Sequence, residues 1–324
     1  MTKPRVFITR IIRDAGLNLI REFCHADIWS GDMPPPREIM LERVRGVDGL
    51  LCLLTDFVDG ELLDAAGPQL KVVSNHAVGF DNIVVADATA RGIPVGNTPG
   101  ILTDATADIA FALLLAAARR LPEAERYLRN GKWKTWEPSA LLGADLAGKT
   151  LGLVGFGRIG QAVAKRAVGF DLRVIYHDPT ALPGFGAIKM NSLNELLHEA
   201  DFVSVHTPLN ESTRHLVNAD FLSRMKPNAV FVNTSRGPVV DQAALFEALK
   251  SRQIFSAALD VTDPEPLPLD SPLLTLDNCL IVPHIGSASE RTRDDMSRLA
   301  AENLVAGVKG EKLPHCVNPE VYGR

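Results

Sequence analysis

Three polar residues of complementary chemistry, Arg236, Glu265 and His284, each follow a short apolar run, at 229–233, 257–260 and 280–283. A guanidinium can hold a planar carboxylate through two parallel hydrogen bonds. An imidazole is the usual proton donor near neutral pH. A carboxylate beside it stabilises the protonated ring. Such a set suits the reduction of a ketone that stands next to a carboxylate: the cation orients and polarises a 2-oxo acid, and the acid protonates its oxygen. Taken singly, an Arg or Glu in a loop reads as solvated surface, and a His after an apolar strand reads as a satisfied structural residue. Their joint placement after successive strands, where open α/β sheets bind ligands, gives the set its weight.

A second motif addresses the electron donor. The strand predicted at 150–154 runs into Gly155-Phe156-Gly157-Arg158-Ile159-Gly160, and a helix follows. In a dinucleotide loop of this kind Gly155 permits the tight turn and Gly157 lets the backbone approach a pyrophosphate. Gly160 lets helix and strand pack closely, and the free N–H groups at the helix start face the anion. Asp178 stands 18 residues beyond Gly160, at the end of the next strand. A carboxylate there can accept hydrogen bonds from both ribose hydroxyls of NAD and opposes the 2′-phosphate of NADP. Pro179, Thr180 and Ala181 follow it, and the next cation is Lys189. The residues therefore favour NAD(H), with NADP(H) as the second cofactor.

The elements that must position these groups are legible in outline. In the first hundred residues, strands are predicted at 6–9, 26–29, 49–54, 71–75 and 94–96, with helices such as 14–22 and 37–44 between them. A long Ala- and Leu-rich helix follows at 103–119, then an irregular arm over 121–143 that holds Trp133 and Trp136. Six more strands are predicted at 150–154, 173–177, 202–206, 229–233, 257–260 and 280–283. Near-continuous apolar strands alternating with helices predict parallel sheets covered on both faces. A last helix at 289–309 is too short to be a domain and is expected to pack back on the first one.

Composition excludes several classes. The 324 residues predict about two domains. Hydrophobic residues make up 46% and charged residues 23%, which rules out wholesale disorder. A formal net charge of −5 lacks the basic footprint of a nucleic-acid binder. The longest apolar run, 109–118, is too short for a membrane span of ~20 residues, and the N-terminus does not resemble a signal peptide. Cys24, Cys52, Cys279 and Cys316 form no C-x-x-C pair, which suggests a reducing compartment, and the eight histidines show no metal-ligand spacing.

These motifs occur in an order that resembles the D-isomer-specific 2-hydroxyacid dehydrogenase family over essentially the whole chain. The resemblance rests on the glycine loop, His206-Thr207-Pro208-Leu209, the segment 233–237 around Arg236, the segment 258–261 with Glu265 and Pro266, and Pro283-His284. The segments 75–82, 98–103 and 131–138 are most similar to those of glyoxylate/hydroxypyruvate reductases. The fold it implies is α/β: two doubly wound parallel-sheet domains, with a Rossmann-type cofactor domain (100–287) inserted into a flavodoxin-like substrate domain (1–99 and 288–324). It implies His284 as proton donor, Glu265 as its partner, and Arg236 as the group that binds the carboxylate and polarises the keto oxygen. Asn75 and the backbone at Val78 and Gly79 would hold substrate, together with Trp136 from a partner subunit in a homodimer. Arg158 and Ile159 would lie at the pyrophosphate, and His206, Thr207, Pro208, Thr234, Asp260 and Gly286 would line the rest of the cofactor site. One departure is Asp108, where the family usually carries Glu.

The activity so implied is the NAD(P)H-dependent reduction of small 2-oxo acids to D-2-hydroxy acids, here glyoxylate to glycolate and hydroxypyruvate to D-glycerate, in the cytoplasm, without metal, nucleic acid or membrane. Two other readings are a reductase of another 2-keto acid, for instance a 2-ketogluconate-type sugar acid, and a non-catalytic NAD(H)-sensing interaction module. The complete Arg236, Glu265 and His284 set argues against the last.

Overall fold

The structure is a computed structural model that describes residues 2–181 and 183–323. The chain divides into two compact units, 1–102 with 288–324 and 103–287.

In the first unit β1 (Arg5–Ile8), α1 (Asp14–Phe23), β2 (His25–Ile28), α2 (Arg37–Arg43) and β3 (Gly49–Cys52) are followed by α3 (Gly60–Ala66), β4 (Val72–Asn75), α4 (Val85–Ala90) and β5 (Val95–Gly96). The strands form one parallel sheet in the order β2-β1-β3-β4-β5, which is the flavodoxin order. Its inner strands β1, β3 and β4 are buried on both faces apart from Arg5, as a doubly covered parallel sheet requires, whereas the edge strand β2 exposes His25 and Asp27. Phe7, Leu50 and Val73 pack with α2 and α3 on one side, and Val6, Ile8, Leu51 and Val72 with α1 on the other.

The second unit begins with α5 (Thr103–Ala118) and α6 (Leu121–Arg129). Then come β6 (Thr150–Val154), α7 (Arg158–Ala167), β7 (Arg173–His177), β8 (Ile188–Lys189), α8 (Leu193–Glu199), β9 (Phe202–Val205), α9 (Ala219–Arg224), β10 (Val230–Asn233), α10 (Gln242–Lys250), β11 (Ser256–Leu259) and β12 (Cys279–Ile281). Their parallel sheet runs β12-β11-β10-β9-β6-β7-β8, a dinucleotide-binding order that reverses between β6 and β9. The sheet has a seventh strand, β8, beyond the six expected. It is a two-residue edge strand whose residues are both exposed, so it has no apolar pattern to announce it. The arm is not irregular at its start either: α6 occupies its first nine residues, with Pro122 in its first turn. Asp108, the departure noted above, pairs with Arg166 at 2.6 Å and ties α5 to α7.

The last helix, α11 (Glu290–Val308), is capped by Ser289, whose hydroxyl accepts the Thr292 N–H. Its Ala300, Ala301, Leu304 and Val305 return to the first unit and complete the α1 face of that sheet, as expected for an element too small to stand alone.

Candidate active site

In the second unit β10, β11 and β12 are direct neighbours, so the segments that leave their C-terminal ends lie side by side. The sheet thus brings Arg236, Glu265 and His284 to one edge. His284 Nδ1 is hydrogen-bonded to Glu265 Oε1, and the Thr262 N–H approaches Glu265 Oε2 at 3.4 Å. Such an arrangement fixes the ring and leaves Nε2 as its other polar atom. Arg236 follows a turn built by Asn233, which is wholly buried. The Asn233 amide donates to the Arg236 carbonyl at 2.9 Å and accepts from the Ser235 N–H at 3.0 Å and the Ser235 hydroxyl at 2.7 Å.

His284 has a left-handed backbone, φ 50°, which is costly for a residue with a side chain. Asp260 holds that turn. Its carboxylate, 2% exposed, accepts from Ile285 N–H at 2.6 Å and Gly286 N–H at 2.8 Å. Burial pushes the Asp260 carboxyl above the usual range, against the pull of these donors and of His284. Both oxygens are engaged inside the protein, so Asp260 orients the His284 segment. The family resemblance implies Asp260 as a cofactor contact; its hold on this turn, like that of Asn233 on the Arg236 turn, is visible only in the structure. Side chains that cap turns leave no periodic signal.

The glycine loop lies at the point where the strand order reverses. Gly155 has φ 91°, and a Cβ there would stand 2.7 Å from the His206 carbonyl oxygen. A Cβ at Gly160 would stand 2.5 Å from the Gly155 carbonyl oxygen, whereas Gly157 has open space before it. The loop is therefore folded against His206, just beyond β9, at its start, closed on its own Gly155 carbonyl at its end, and open in the middle, where an anion would approach α7 and its first residues Arg158 and Ile159. The His206 ring bonds Ser204 Oγ at 2.9 Å, and burial pushes its pKa down to about 4, so a neutral ring supports the loop at pH 7.

The residues present suit a dinucleotide. Thr207 and Thr234, at the ends of β9 and β10, have buried hydroxyl oxygens without a hydrogen-bond partner among the described residues. A bound ligand would satisfy such groups. Pro208 is exposed beside Thr207. Asp178 is more engaged than its sequence position suggests. One oxygen accepts the Phe156 N–H at 2.8 Å, and the other accepts from the N–H groups of Thr180 and Ala181 at 2.8 and 2.9 Å. Burial raises its pKa, but these bonds outweigh it and hold the carboxyl below its usual range, so Asp178 keeps its charge. Among the described residues no group of three or more His, Cys, Asp or Glu side chains could hold a metal, and no helix is long and apolar enough to cross a membrane.

In the first unit, the segment after β4 carries Val78 and Gly79, both partly exposed. Their N–H groups donate to no group among the described residues. Asn75, by contrast, is fully buried and turned inward, bonded to the Gly79 carbonyl at 2.9 Å and to Asn82 at 3.1 Å. It shapes the segment from behind.

Trp136 is 78% exposed and Trp133 63%. They line a concavity of about 320 Å³ with Tyr127, Leu128 and Leu141. No residue of α6 is buried within the chain.

Comparison with known proteins matches residues 111–286 to the NAD-binding domain of the D-isomer specific 2-hydroxyacid dehydrogenases. A glyoxylate reductase of Korarchaeum cryptofilum is 52% identical over 98% of this chain and 97% of its own. A glyoxylate reductase from Paecilomyes thermophila superposes with a TM-score of 0.88 at 32% identity, covering 99% of this chain and 100% of its own. An NADPH-dependent glyoxylate/hydroxypyruvate reductase from Sinorhizobium meliloti, solved with NADP and malonate, gives 0.84 at 35%, covering 98% and 97%. With the strand orders, the glycine loop and the His284–Glu265 pair already in place, these matches show that the chain belongs to the D-isomer specific 2-hydroxyacid dehydrogenase family.

Proposed function

We propose that the protein is a glyoxylate/hydroxypyruvate reductase, an NAD(P)-dependent oxidoreductase that converts small 2-oxo acids to D-2-hydroxy acids. The observation that carries this reading is the His284–Glu265 pair on the strand edge it shares with Arg236, in a chain about half identical to glyoxylate reductases. The reduced nicotinamide, when bound, supplies a hydride to the carbonyl carbon. His284 delivers a proton from Nε2 to the carbonyl oxygen, while Glu265 at Nδ1 stabilises the charged ring before the proton leaves. Arg236 pairs with the substrate carboxylate and draws electron density from the keto oxygen. In the first unit the N–H groups of Val78 and Gly79 bind the carboxylate. Thr207, Thr234 and the glycine loop hold the dinucleotide, and the charge on Asp178 favours NADH. The Sinorhizobium relative is NADPH-dependent, so the cofactor preference of this chain is a property to be read from Asp178 rather than from kinship.

The apolar face of α6 with Trp133, Trp136, Leu121, Leu128 and Leu142, all more than half exposed, supports a homodimer through the arm, with Trp136 reaching the partner subunit's substrate. The four cysteines are free thiols, which suits the cytoplasm. The decisive experiment follows NADH absorbance with a panel of 2-oxo acids, including glyoxylate, hydroxypyruvate and 2-ketogluconate, compared by kcat/KM, with light scattering on the same sample. Glyoxylate and hydroxypyruvate should lead the panel, from a dimer. NADH binding with no turnover of any member would overturn the reading.

A further inference from the structure

The segment Ala77–Gly79 is held by its carbonyl groups. The Ala77 oxygen accepts the Thr98 N–H at 2.9 Å. The Val78 oxygen accepts from the Asn97 side-chain amide at 2.8 Å, and the Gly79 oxygen from that of Asn75 at 2.9 Å. Three consecutive peptide carbonyls are therefore bound by donors from the buried side, since Asn75, Asn97 and Thr98 are all at most 9% exposed. In a trans peptide the C=O and the N–H of the same unit point in opposite directions. A carbonyl drawn inward turns the following N–H outward. The Thr98 bond thus aims the Val78 N–H, the Asn97 bond aims the Gly79 N–H, and the Asn75 bond aims the Phe80 N–H. A peptide whose carbonyl is already bonded is also a stronger donor, because bonds along a chain polarise one another.

Asn97 is itself anchored. Its backbone oxygen accepts from the amide of Asn303 at 2.9 Å, and Asn303, fully buried on α11, accepts the His315 N–H at 3.0 Å. Asn303 lies so close to β5 that a Cβ at Gly96 would stand 2.8 Å from it. The direction of the Gly79 N–H is in this way fixed through Asn97 to the last helix of the chain.

We infer that Asn97 is a positioning residue for the substrate carboxylate: its amide turns the Val78–Gly79 peptide so that the Gly79 N–H faces the anion, an inference that rests on the proposed role of this segment. Asn97 touches no substrate. It acts by orienting a donor that binds the carboxylate alike in the ground and transition states, so its loss is expected in KM and not in kcat.

The test compares Asn97→Ala with the wild-type enzyme, with Asn97→Ser as the smaller disturbance to packing should the first variant fold poorly. Two readouts are taken: steady-state kinetics with glyoxylate, and binding of oxamate, a carboxylate analogue that is not reduced, to the enzyme–NADH complex. Both the KM and the oxamate Kd should rise about tenfold, equal to about 1.4 kcal/mol, with kcat and NADH affinity within about twofold of wild type. Unchanged oxamate binding in a folded variant overturns the inference. So does a variant in which NADH affinity and kcat fall as far as KM rises, because that pattern marks a general structural defect. Failure of the wild-type complex to bind oxamate would overturn the carboxylate-binding role of the segment itself, and the inference with it.

Discussion

Gly237 follows Arg236, and its Cα lies against the backbone at the end of β11. A Cβ placed there would stand 1.9 Å from the Thr262 carbonyl oxygen, 2.1 Å from the Thr262 carbonyl carbon and 2.8 Å from the Asp263 nitrogen. No side-chain rotation relieves these contacts, because every opposing atom is backbone. In Gly237→Ala the two segments must part by about 1 Å or more. One of them carries Arg236 and the other leads within three residues to Glu265, which bonds His284. The variant therefore separates the carboxylate-binding cation from the proton donor. A misplacement of about 1 Å in such a set costs roughly 10²-fold in rate. Overpacking of this kind costs about 1–3 kcal/mol in stability, or several degrees in Tm for a unit of this size. The assay is NADH-linked glyoxylate reduction beside a thermal melt and an NADH fluorescence titration. We expect kcat/KM to fall about 10²-fold while NADH affinity changes far less, since the glycine loop sits on β6, two strands away from β10. A variant that keeps kcat/KM within about threefold of wild type would show that the spacing of Arg236 from the His284–Glu265 pair does not matter, and the assignment of these residues to one reaction would fail.

His284→Ala should lower kcat by about 10²–10⁴-fold with NADH binding retained, as loss of a proton donor does; near-normal kcat would remove His284 from the mechanism. Asp178→Ala should shift the ratio of kcat/KM for NADPH over NADH upward, and a wild-type enzyme that prefers NADPH would contradict the role given to its charge. The same variant also loses the bonds to Phe156, Thr180 and Ala181, so some loss of Tm accompanies it. His76, buried and bonded to Ser297 Oγ at 2.9 Å, has its pKa pushed down to about 4 by burial and then by the charge of Arg293. Its folded pKa lies below the unfolded value of about 6.5, so the unfolded chain takes up the proton first. The contribution to stability is complete above pH ~6.5 and declines toward pH 4 by about 3 kcal/mol. Melts from pH 7.5 to 4.5 (roughly the range in which this linkage acts) should show a shallower loss of Tm in His76→Gln than in wild type, and parallel curves would refute the linkage.

Much of this molecule is local and therefore legible in the chain. Apolar runs separated by helical stretches gave the two parallel sheets, because a strand buried on both faces needs no partner to declare itself. The glycine loop was readable because a turn, a close approach and a helix start each demand glycine or free N–H groups at fixed short spacing. Arg236, Glu265 and His284 could be picked out because polar residues directly after buried strands arrive at the ligand-binding edge of the sheet. The edge strand β8 escaped, since two exposed residues carry no period, and α6 was hidden by its place in an arm whose apolar face is only partly covered by the described residues. The spacing after the glycine loop also pointed to Asp178 as a ligand contact, and the family resemblance to Asp260.

Tertiary structure alone decided how those residues are held. Asp260 reaches Gly286 across 26 residues, Asn303 reaches Asn97 across 206, and Gly237 meets a carbonyl 25 positions away on the neighbouring strand end. The first and the last depend on strand register in the second unit, and the second on the return of α11 to the first unit. Periodicity reports only which face a residue occupies. Which distant backbone group comes within 3 Å of it is set by how the elements pack, and that packing is where the left-handed turn at His284 and the inward carbonyls of Ala77, Val78 and Gly79 acquire their partners.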